Sequence, residues 1–209
     1  MKKMLFASSG FILFFFSAFL ARAEIRWGCE VHGLFAFVYD AEVKSDWQTW
    51  DEENAYGGGA SLVLDLSRNV KLDFGLDYLE AGLDPTPSWL SSAEMTLIPV
   101  SLAARIGIPV DLFFLYAGGG IGYSFNEVET GHSPDIKVYD SFTYFAFLGL
   151  EAVVGEMGSE KLFRETFRNV ALRGEIRFNW MEPELKWYAE KEDWTYNYMQ
   201  LRAGLVFYF

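Results

Sequence analysis

The chain has 209 residues, of which 51% are hydrophobic and 18% aromatic, and its formal net charge is −12. With 17 basic against 29 acidic residues it lacks the clustered positive charge of a nucleic-acid-binding protein. Its 20 Phe, 11 Tyr and 7 Trp exclude a disordered chain, and its single Cys excludes a disulfide scaffold or a thiolate metal cluster.

The first 23 residues have the pattern of a cleavable secretory signal peptide. Two lysines precede an apolar stretch at 5–20, and the small residues Ala21 and Ala23 stand at the −3 and −1 positions of the predicted cleavage site. The apolar stretch is shorter than the ~20 residues that a membrane-spanning helix needs. We therefore expect residues 1–23 to be removed and residues 24–209 to form the mature domain.

Along the mature chain, apolar and polar residues alternate with a period of two, which is typical of strands with one apolar face. In the segment 141–154 both faces are apolar, and we expect Glu151 to set the register by facing away from lipid, together with Phe145 and Phe147. Eight segments fit the pattern: 27–39, 56–66, 70–78, 94–106, 112–126, 141–154, 170–180 and 198–209.

The connections between these segments differ systematically in length. Predicted loops are long at 41–55, 79–93, 127–140 and 181–197, and short at 67–69 and 107–111, with an intermediate connection at 155–168 that is either a short amphipathic helix or a plain loop. Outer-membrane barrels alternate long external loops with short periplasmic turns. The pattern therefore favours an all-β, eight-stranded antiparallel transmembrane barrel, with a soluble lipocalin-like barrel as the alternative.

Aromatic residues stand near the predicted strand ends, where amphipathic rings lie at the level of lipid headgroups. The alternative is that they are ordinary core or surface aromatics. These residues are Trp27, Tyr39, Tyr56, Tyr78, Tyr123, Trp180 and Tyr198.

The end of the chain carries a resemblance to a known family. Leu205, Phe207 and the terminal Phe209 alternate with other residues, and this ending resembles the signal by which outer-membrane barrels are recognised for assembly. The segments IPVSLAAR at 98–105 and LYAGGGIGY at 115–123 are similar to middle strands of small barrels of the outer membrane protein W and outer membrane protein A type, the W type being nearer.

This resemblance implies an integral protein of the bacterial outer membrane. Its implied partners are the barrel-assembly machinery, outer-membrane lipid and lipopolysaccharide. Its implied role ranges from a structural anchor or adhesin to a narrow passage for small hydrophobic solutes.

Charged residues accumulate on the polar faces of the predicted strands, and a barrel of eight strands is narrow enough for side chains to fill it. We expect Glu151 to lie level with Arg173, and Glu175 or Arg177 to lie level with Arg202, in a network of cross-lumen ion pairs. An ion-selective pore is the alternative. The predicted lumen network comprises Glu30, His32, Asp73, Asp77, Arg105, Glu151, Arg173, Glu175, Arg177 and Arg202.

The predicted external loops hold most of the negative charge. The segments 41–55, 80–94, 126–140 and 181–197 carry net charges of −4, −3, −3 and −3. They form either a solvated acidic surface, or a surface that binds divalent cations weakly or a cationic partner through aromatic anchors. The candidate anchors are Trp47, Trp50, Trp89, Trp187 and Trp194.

The sequence offers little for catalysis. His32 and His132 are the two histidines of the chain, and neither has a serine placed in sequence as its nucleophile. The glycines at 118–120 and 122 match no phosphate-binding fingerprint, and we expect them to leave room in the lumen or to permit barrel curvature. We therefore expect a non-enzymatic barrel with no metal or cofactor, the alternative being a lipid-modifying enzyme.

Overall fold

A computed structural model describes residues 25–43, 49–86, 93–130, 136–155, 169–187 and 190–209. The predicted signal peptide and most of the connection 155–168 lie outside these residues. No helix among the described residues is long and apolar enough to cross a membrane. The described residues form ten strands: β1 (Arg26–Val43), β2 (Thr49–Asp65), β3 (Val70–Thr86), β4 (Ala93–Val110), β5 (Phe113–Thr130), β6 (Ile136–Val138), β7 (Ser141–Gly155), β8 (Asn169–Met181), β9 (Glu184–Trp187) and β10 (Glu190–Tyr208).

Eight long strands close into an antiparallel barrel. Each of β1, β2, β3, β4, β5, β7, β8 and β10 pairs with the next, and β10 pairs with β1 to complete the ring. The last backbone bond of this closure runs from the amide of Phe209 to the carbonyl of Trp27, at 2.9 Å. The predicted fold class and all eight predicted strands are confirmed.

The strands extend farther than the hydrophobic alternation predicted. The predicted loops 41–55, 79–93, 127–140 and 181–197 are in large part strand, and they include the two unpredicted short strands β6 and β9. Beyond the lipid-facing band the outward positions meet water and carry polar residues such as Glu80, so the outward apolar face that marked the strands ends there. Pairing of the backbone N–H and C=O groups still stabilises the strands there. The hydrogen-bonded ladder therefore continues beyond the point where the apolar alternation ends.

Alternation separates a lipid-facing exterior from a filled interior. In β3, Phe74, Leu76 and Tyr78 are exposed whereas Asp73 and Asp77 are buried. The register proposed for 141–154 is confirmed, since Phe145, Phe147 and Glu151 are buried and their neighbours face outward. The prediction is wrong for one rim aromatic, Tyr198, which is 4% exposed and faces the interior. It lies two and four residues before the inward-facing Gln200 and Arg202, and therefore on the opposite side of the strand from Leu201.

Among the described residues, two tight turns lie at the end of the barrel where β1 begins and β10 ends. In the first, the hydroxyl of Ser67 accepts hydrogen bonds from the amides of Asn69 and Val70, at 3.3 and 3.1 Å. In the second, β4 passes to β5 through Asp111 and Leu112, and Asp111 adopts a left-handed φ of 51° that Asp tolerates better than most residues. Short turns mark this as the periplasmic end.

At the outer end the ring divides into two sheets. The β1–β2 ladder stops at Ala36 and Ala55, and the β5–β7 ladder stops at Ser124 and Ser141. Beyond these points β2, β3, β4 and β5 remain paired as one sheet, here termed the first wall. Strands β1, β10, β9 and β6 form the opposite sheet, termed the second wall.

The strand that pairs along one edge of β10 contains a break. Strand β8 ends at Met181 and β9 resumes at Glu184, so that both pair with β10 on the same edge. Pro183, which has no N–H for the ladder, is almost fully buried at this break. Beyond it β9 pairs with β6, and Val138 of β6 is buried among apolar side chains of the interior.

Candidate functional site in the lumen

The middle of the lumen holds a layer of ionisable side chains that we term the charged layer. All ten residues predicted for the lumen network face inward, and each is 0–5% exposed. Lys71 belongs to the same layer and is 7% exposed. The layer comprises Glu30, His32, Lys71, Asp73, Asp77, Arg105, Glu151, Arg173, Glu175, Arg177 and Arg202.

Arg173 is the centre of the charged layer. Its Nη1 donates to Glu30, and its Nη2 lies 3.0 Å from Asp73 Oδ2 and 3.1 Å from Glu175 Oε2. Its Nε donates to the hydroxyl of Tyr116 at 2.9 Å. One guanidinium therefore joins three carboxylates that come from three different strands.

The periplasmic side of the layer is equally well paired. Arg105 donates to Asp73 Oδ1 at 2.6 Å and to Glu151 Oε2 at 3.1 Å. The other oxygen of Glu151 accepts from Lys71 Nζ at 2.8 Å and from the hydroxyl of Tyr208 at 2.6 Å. A charged group buried this deeply is tolerated because it is both paired and hydrogen-bonded.

The outer side of the layer is built around His32. Its Nε2 lies 2.8 Å from Asp77 Oδ1 and 2.7 Å from Arg202 Nη2, and Arg202 Nη2 also lies 2.9 Å from its Nδ1. The same Arg202 nitrogen donates to Ser61 Oγ at 2.7 Å, while Arg202 Nε lies 3.6 Å from Glu30 Oε1.

The structure places the expected pairs of residues level with each other but gives them different ionic partners. Glu151 and Arg173 are register neighbours, as are Glu175 and Arg202. Yet Glu151 pairs with Lys71 and Arg105, and the ion pairs of Arg202 go to Asp77 and Glu30. Lumen side chains point towards the barrel axis, so in a narrow barrel they meet residues several strands away.

Aromatic rings pack against the cations of the charged layer on one side. Arg177 stands over the ring of Phe145 at 4.3 Å, and Arg105 and Arg173 stand over Tyr116 at 5.1 and 5.5 Å. Lys71 stands 4.8 Å from the rings of both Phe114 and Tyr208. The alternation placed Tyr116 in the lumen, but the part played by these rings was missed because sequence gives no distances across the barrel.

Lumen glycines make room for these large side chains. A Cβ at Gly149 would lie 2.3 Å from the hydroxyl of Tyr116, and one at Gly118 would lie 2.4 Å from Phe147 Cζ. A Cβ at Gly59 would lie 2.6 Å from His32 Nε2. For Gly118 this geometry fits the expected role of leaving room in the lumen, whereas Gly119 faces outward.

Above the charged layer lies a cluster of buried apolar side chains that we term the outer apolar layer. Its members come from both walls, so the two sheets pack on each other as in a sandwich. Val138 of β6 is the member that does not belong to the barrel ring. The layer comprises Leu34, Ala36, Ala55, Leu79, Ala81, Met95, Leu97, Val138, Met181, Tyr196 and Tyr198.

Gln200 lies at the boundary between the two layers. Its register neighbours are Ala36 of the outer apolar layer and Arg177 of the charged layer. It is 1% exposed, and its Nε2 has no hydrogen-bond partner among the described residues. In the sequence nothing distinguishes this amide from the other inward-facing residues of β10.

The predicted loop anchors lie largely outside what the structure describes. Trp47 and Trp89 fall outside the described ranges. Trp50, Trp187 and Trp194 lie on β2, β9 and β10, but only their backbones are described. Among the described residues no group of three or more His, Cys, Asp or Glu is arranged to hold a metal ion.

A closed ring of eight strands with an apolar exterior and paired charges inside defines a small membrane-spanning β-barrel. The sequence matches the family described as "Outer membrane protein beta-barrel domain" over residues 11–209. The chain therefore belongs to this family and is a protein of the outer membrane. Comparison with curated protein sequences finds no significant match.

Solved barrels share this fold at low sequence identity. The outer membrane protein OprG from Pseudomonas aeruginosa is 12% identical with a TM-score of 0.62, and the match covers 88% of this chain and 94% of that chain. The outer membrane protein AlkL is 13% identical with a TM-score of 0.63, covering 88% and 90%. Neisserial surface protein A is 13% identical with a TM-score of 0.55, covering 88% and 97%.

Proposed function

We propose that this protein is a non-enzymatic outer-membrane barrel that is closed to ions and takes small apolar solutes into its outer apolar layer. The observation that carries the proposal is the division of the lumen into a charged layer of buried, paired side chains and an apolar layer outside it. Every cation of the charged layer has a carboxylate partner within 4.0 Å. An ion that crossed this layer would have to displace these partners.

The surroundings of His32 support a non-enzymatic role. Both of its ring nitrogens are in contact with buried charged groups, Nε2 with Asp77 and Arg202 and Nδ1 with Arg202. The nearby Ser61 accepts a hydrogen bond from Arg202, which does not activate a nucleophile. The other histidine, His132, lies outside the described residues.

The composition of the outer apolar layer favours a solute that is small and uncharged. Leu97, Met95 and Met181 offer flexible apolar surface, and the two methionines suit ligands of varied shape. An ionised solute would lose its hydration there without gaining a partner. The envelope-structural or adhesive role is the second candidate, supported by the acidic outer segments.

Methionine methyl NMR of the protein in lipid nanodiscs tests solute binding, with hexane as the probe. We expect the methyl signals of Met95 and Met181 to shift on titration, since both lie in the outer apolar layer. Met199 is the matched control because it lies on the lipid-facing side of β10 and reports only hexane dissolved in lipid. Shifts confined to Met199 would overturn the proposed binding.

Conductance tests closure to ions separately. The protein in a planar bilayer in concentrated KCl is expected to give no single-channel steps. Regular steps that change in size with Arg202→Gln or Glu175→Gln would instead establish an ion pore through the charged layer.

The partners of this barrel are also proposals. Leu205, Phe207 and Phe209 lie on the lipid-facing side of the closing strand, where the assembly machinery would have access to them before β10 pairs with β1. We expect Phe209→Ala to lower the amount of folded protein in the outer membrane, measured by heat-shifted gel mobility, while the protein refolded in detergent is unchanged. The acidic outer segments would bind lipopolysaccharide only through shared, weakly held divalent cations.

A further inference from the structure

We propose that Gln200 and a row of alanines beside it form a subsite of the outer apolar layer for an unbranched aliphatic carbonyl compound, whose oxygen accepts a hydrogen bond from the Gln200 amide. The inference rests on the proposed function, because it names the class of solute that the outer apolar layer takes. Two observations carry it, namely a row of small inward-facing side chains and an unpartnered buried amide at the end of that row.

The alanine row crosses three neighbouring strands at one level of the lumen. Ala36 of β1 pairs with Ala55 of β2, and Ala55 pairs with Ala81 of β3. All three side chains face inward, and each is 1% exposed. The row continues to Met95 of β4, which is the register neighbour of Ala81. Because paired strands lie about 4.8 Å apart, the three alanines form a strip about 10 Å long on which no side chain extends beyond Cβ.

Leucines border this strip on the side of the charged layer. The next inward-facing row consists of Leu34, Gly57, Leu79 and Leu97, which are register neighbours on β1, β2, β3 and β4. Inward-facing rows are about 7 Å apart along a strand, so the strip is wide enough for one slender chain. Other members of the outer apolar layer cover the alanines, and its flexible methionines Met95 and Met181 can change rotamer to admit such a chain.

Gln200 stands at the end of the row opposite Met95, because it is the register neighbour of Ala36. It is 1% exposed, and its Nε2 has no hydrogen-bond partner among the described residues. Beyond it lie Arg177, its neighbour on β8, and Arg202, the next inward-facing residue of β10, and both guanidinium groups can only donate. A buried donor without an acceptor is costly, so a solute that supplies the acceptor gains affinity.

The charged layer beside the amide favours a neutral head group. The layer contains five carboxylates and five Lys and Arg side chains, and each of these cations already has a carboxylate partner. An anionic head group would therefore be buried without a cation of its own. A carbonyl oxygen accepts the amide hydrogen bond and brings no donor that needs another partner. One polar group that orients the ligand within an otherwise apolar site is usual for small-molecule sites.

Methionine methyl NMR in lipid nanodiscs tests the subsite, with methyl butyl ketone and hexane as probes and Met95 as the reporter. Each probe is titrated into the parent and into Gln200→Leu. We expect the ratio of ketone affinity to hexane affinity to fall about tenfold in Gln200→Leu, the effect of one lost hydrogen bond, while hexane still binds. Comparing this ratio between two proteins in the same lipid cancels the different partitioning of the probes into lipid. Gln200→Leu replaces an unpartnered amide by an apolar side chain and should unfold at a urea concentration no lower than the parent.

A matched variant and a branched probe separate the amide from the row. Asn179 is another inward-facing amide, but it donates to the carbonyl of Tyr198 at 3.5 Å, so Asn179→Leu should leave the affinity ratio unchanged. Methyl tert-butyl ketone is the branched isomer of methyl butyl ketone and should bind the parent more weakly than the unbranched ketone.

The outcomes distinguish this inference from the proposed function. Equal affinity ratios in the parent and in Gln200→Leu, with hexane still bound, would overturn the role of Gln200 and show that water alone satisfies its amide. Equal affinities of the parent for the two ketones would overturn the alanine row. Absence of any Met95 shift with all three probes would instead overturn the proposed uptake of apolar solutes, and the subsite with it.

Discussion

Replacement of Arg173 by glutamine is expected to lower the free energy of unfolding by about 3–5 kcal/mol. Arg173 lies within 3.1 Å of Asp73 and Glu175 and also pairs with Glu30. Removing its charge leaves carboxylates in the lumen whose desolvation is no longer compensated by the guanidinium. Urea unfolding of the barrel in lipid vesicles, followed by tryptophan fluorescence, measures the change.

Matched variants separate this effect from a general loss of charge. Arg68→Gln removes the same charge from an exposed position in the turn between β2 and β3 and should leave the unfolding midpoint unchanged. Arg173→Lys keeps the charge but cannot reach three carboxylates in one plane, so its loss should be intermediate. Glu175→Gln and Arg202→Gln should also destabilise the barrel. Midpoints equal to the parent for Arg173→Gln would show that the network contributes nothing to stability.

Replacement of Gly149 by alanine is expected to cost about 1–3 kcal/mol by overpacking. The three atoms nearest to the added Cβ all belong to the side chain of Tyr116, at 2.3–2.7 Å. The ring cannot shift freely because its hydroxyl accepts from Arg173 and donates to Glu175. The same urea unfolding measurement reports the loss.

The control is a glycine on the neighbouring strand that faces lipid. A Cβ at Gly174 would meet nothing within 4 Å, so Gly174→Ala should be close to neutral. In a Tyr116→Ala background the obstacle is gone, and Gly149→Ala should then cost little more than Gly174→Ala. A loss that persists in this background would assign the effect to the backbone of β7 rather than to Tyr116.

Most of the fold was predictable because it follows from local alternation. A lipid-facing band demands apolar residues at every second position, so Val70–Tyr78 could be assigned to a strand and Asp73 to its inner face from the sequence alone. Glu151 could likewise decide the register of an otherwise ambiguous strand, because one buried carboxylate on the lipid side would be costly. The alternation along each strand also determines which residues fill the lumen, but it does not determine which of them form ion pairs or hydrogen bonds with each other.

The sequence alone therefore determined the eight strands, their inward and outward faces and the identity of the charged residues in the lumen. Only the tertiary structure decided that Arg173 gathers Glu30, Asp73 and Glu175, and that the outer end divides into two walls with Val138 between them. The reason is geometric. Alternation is a property of one strand, whereas distances across a barrel depend on the tilt and stagger of all eight strands together.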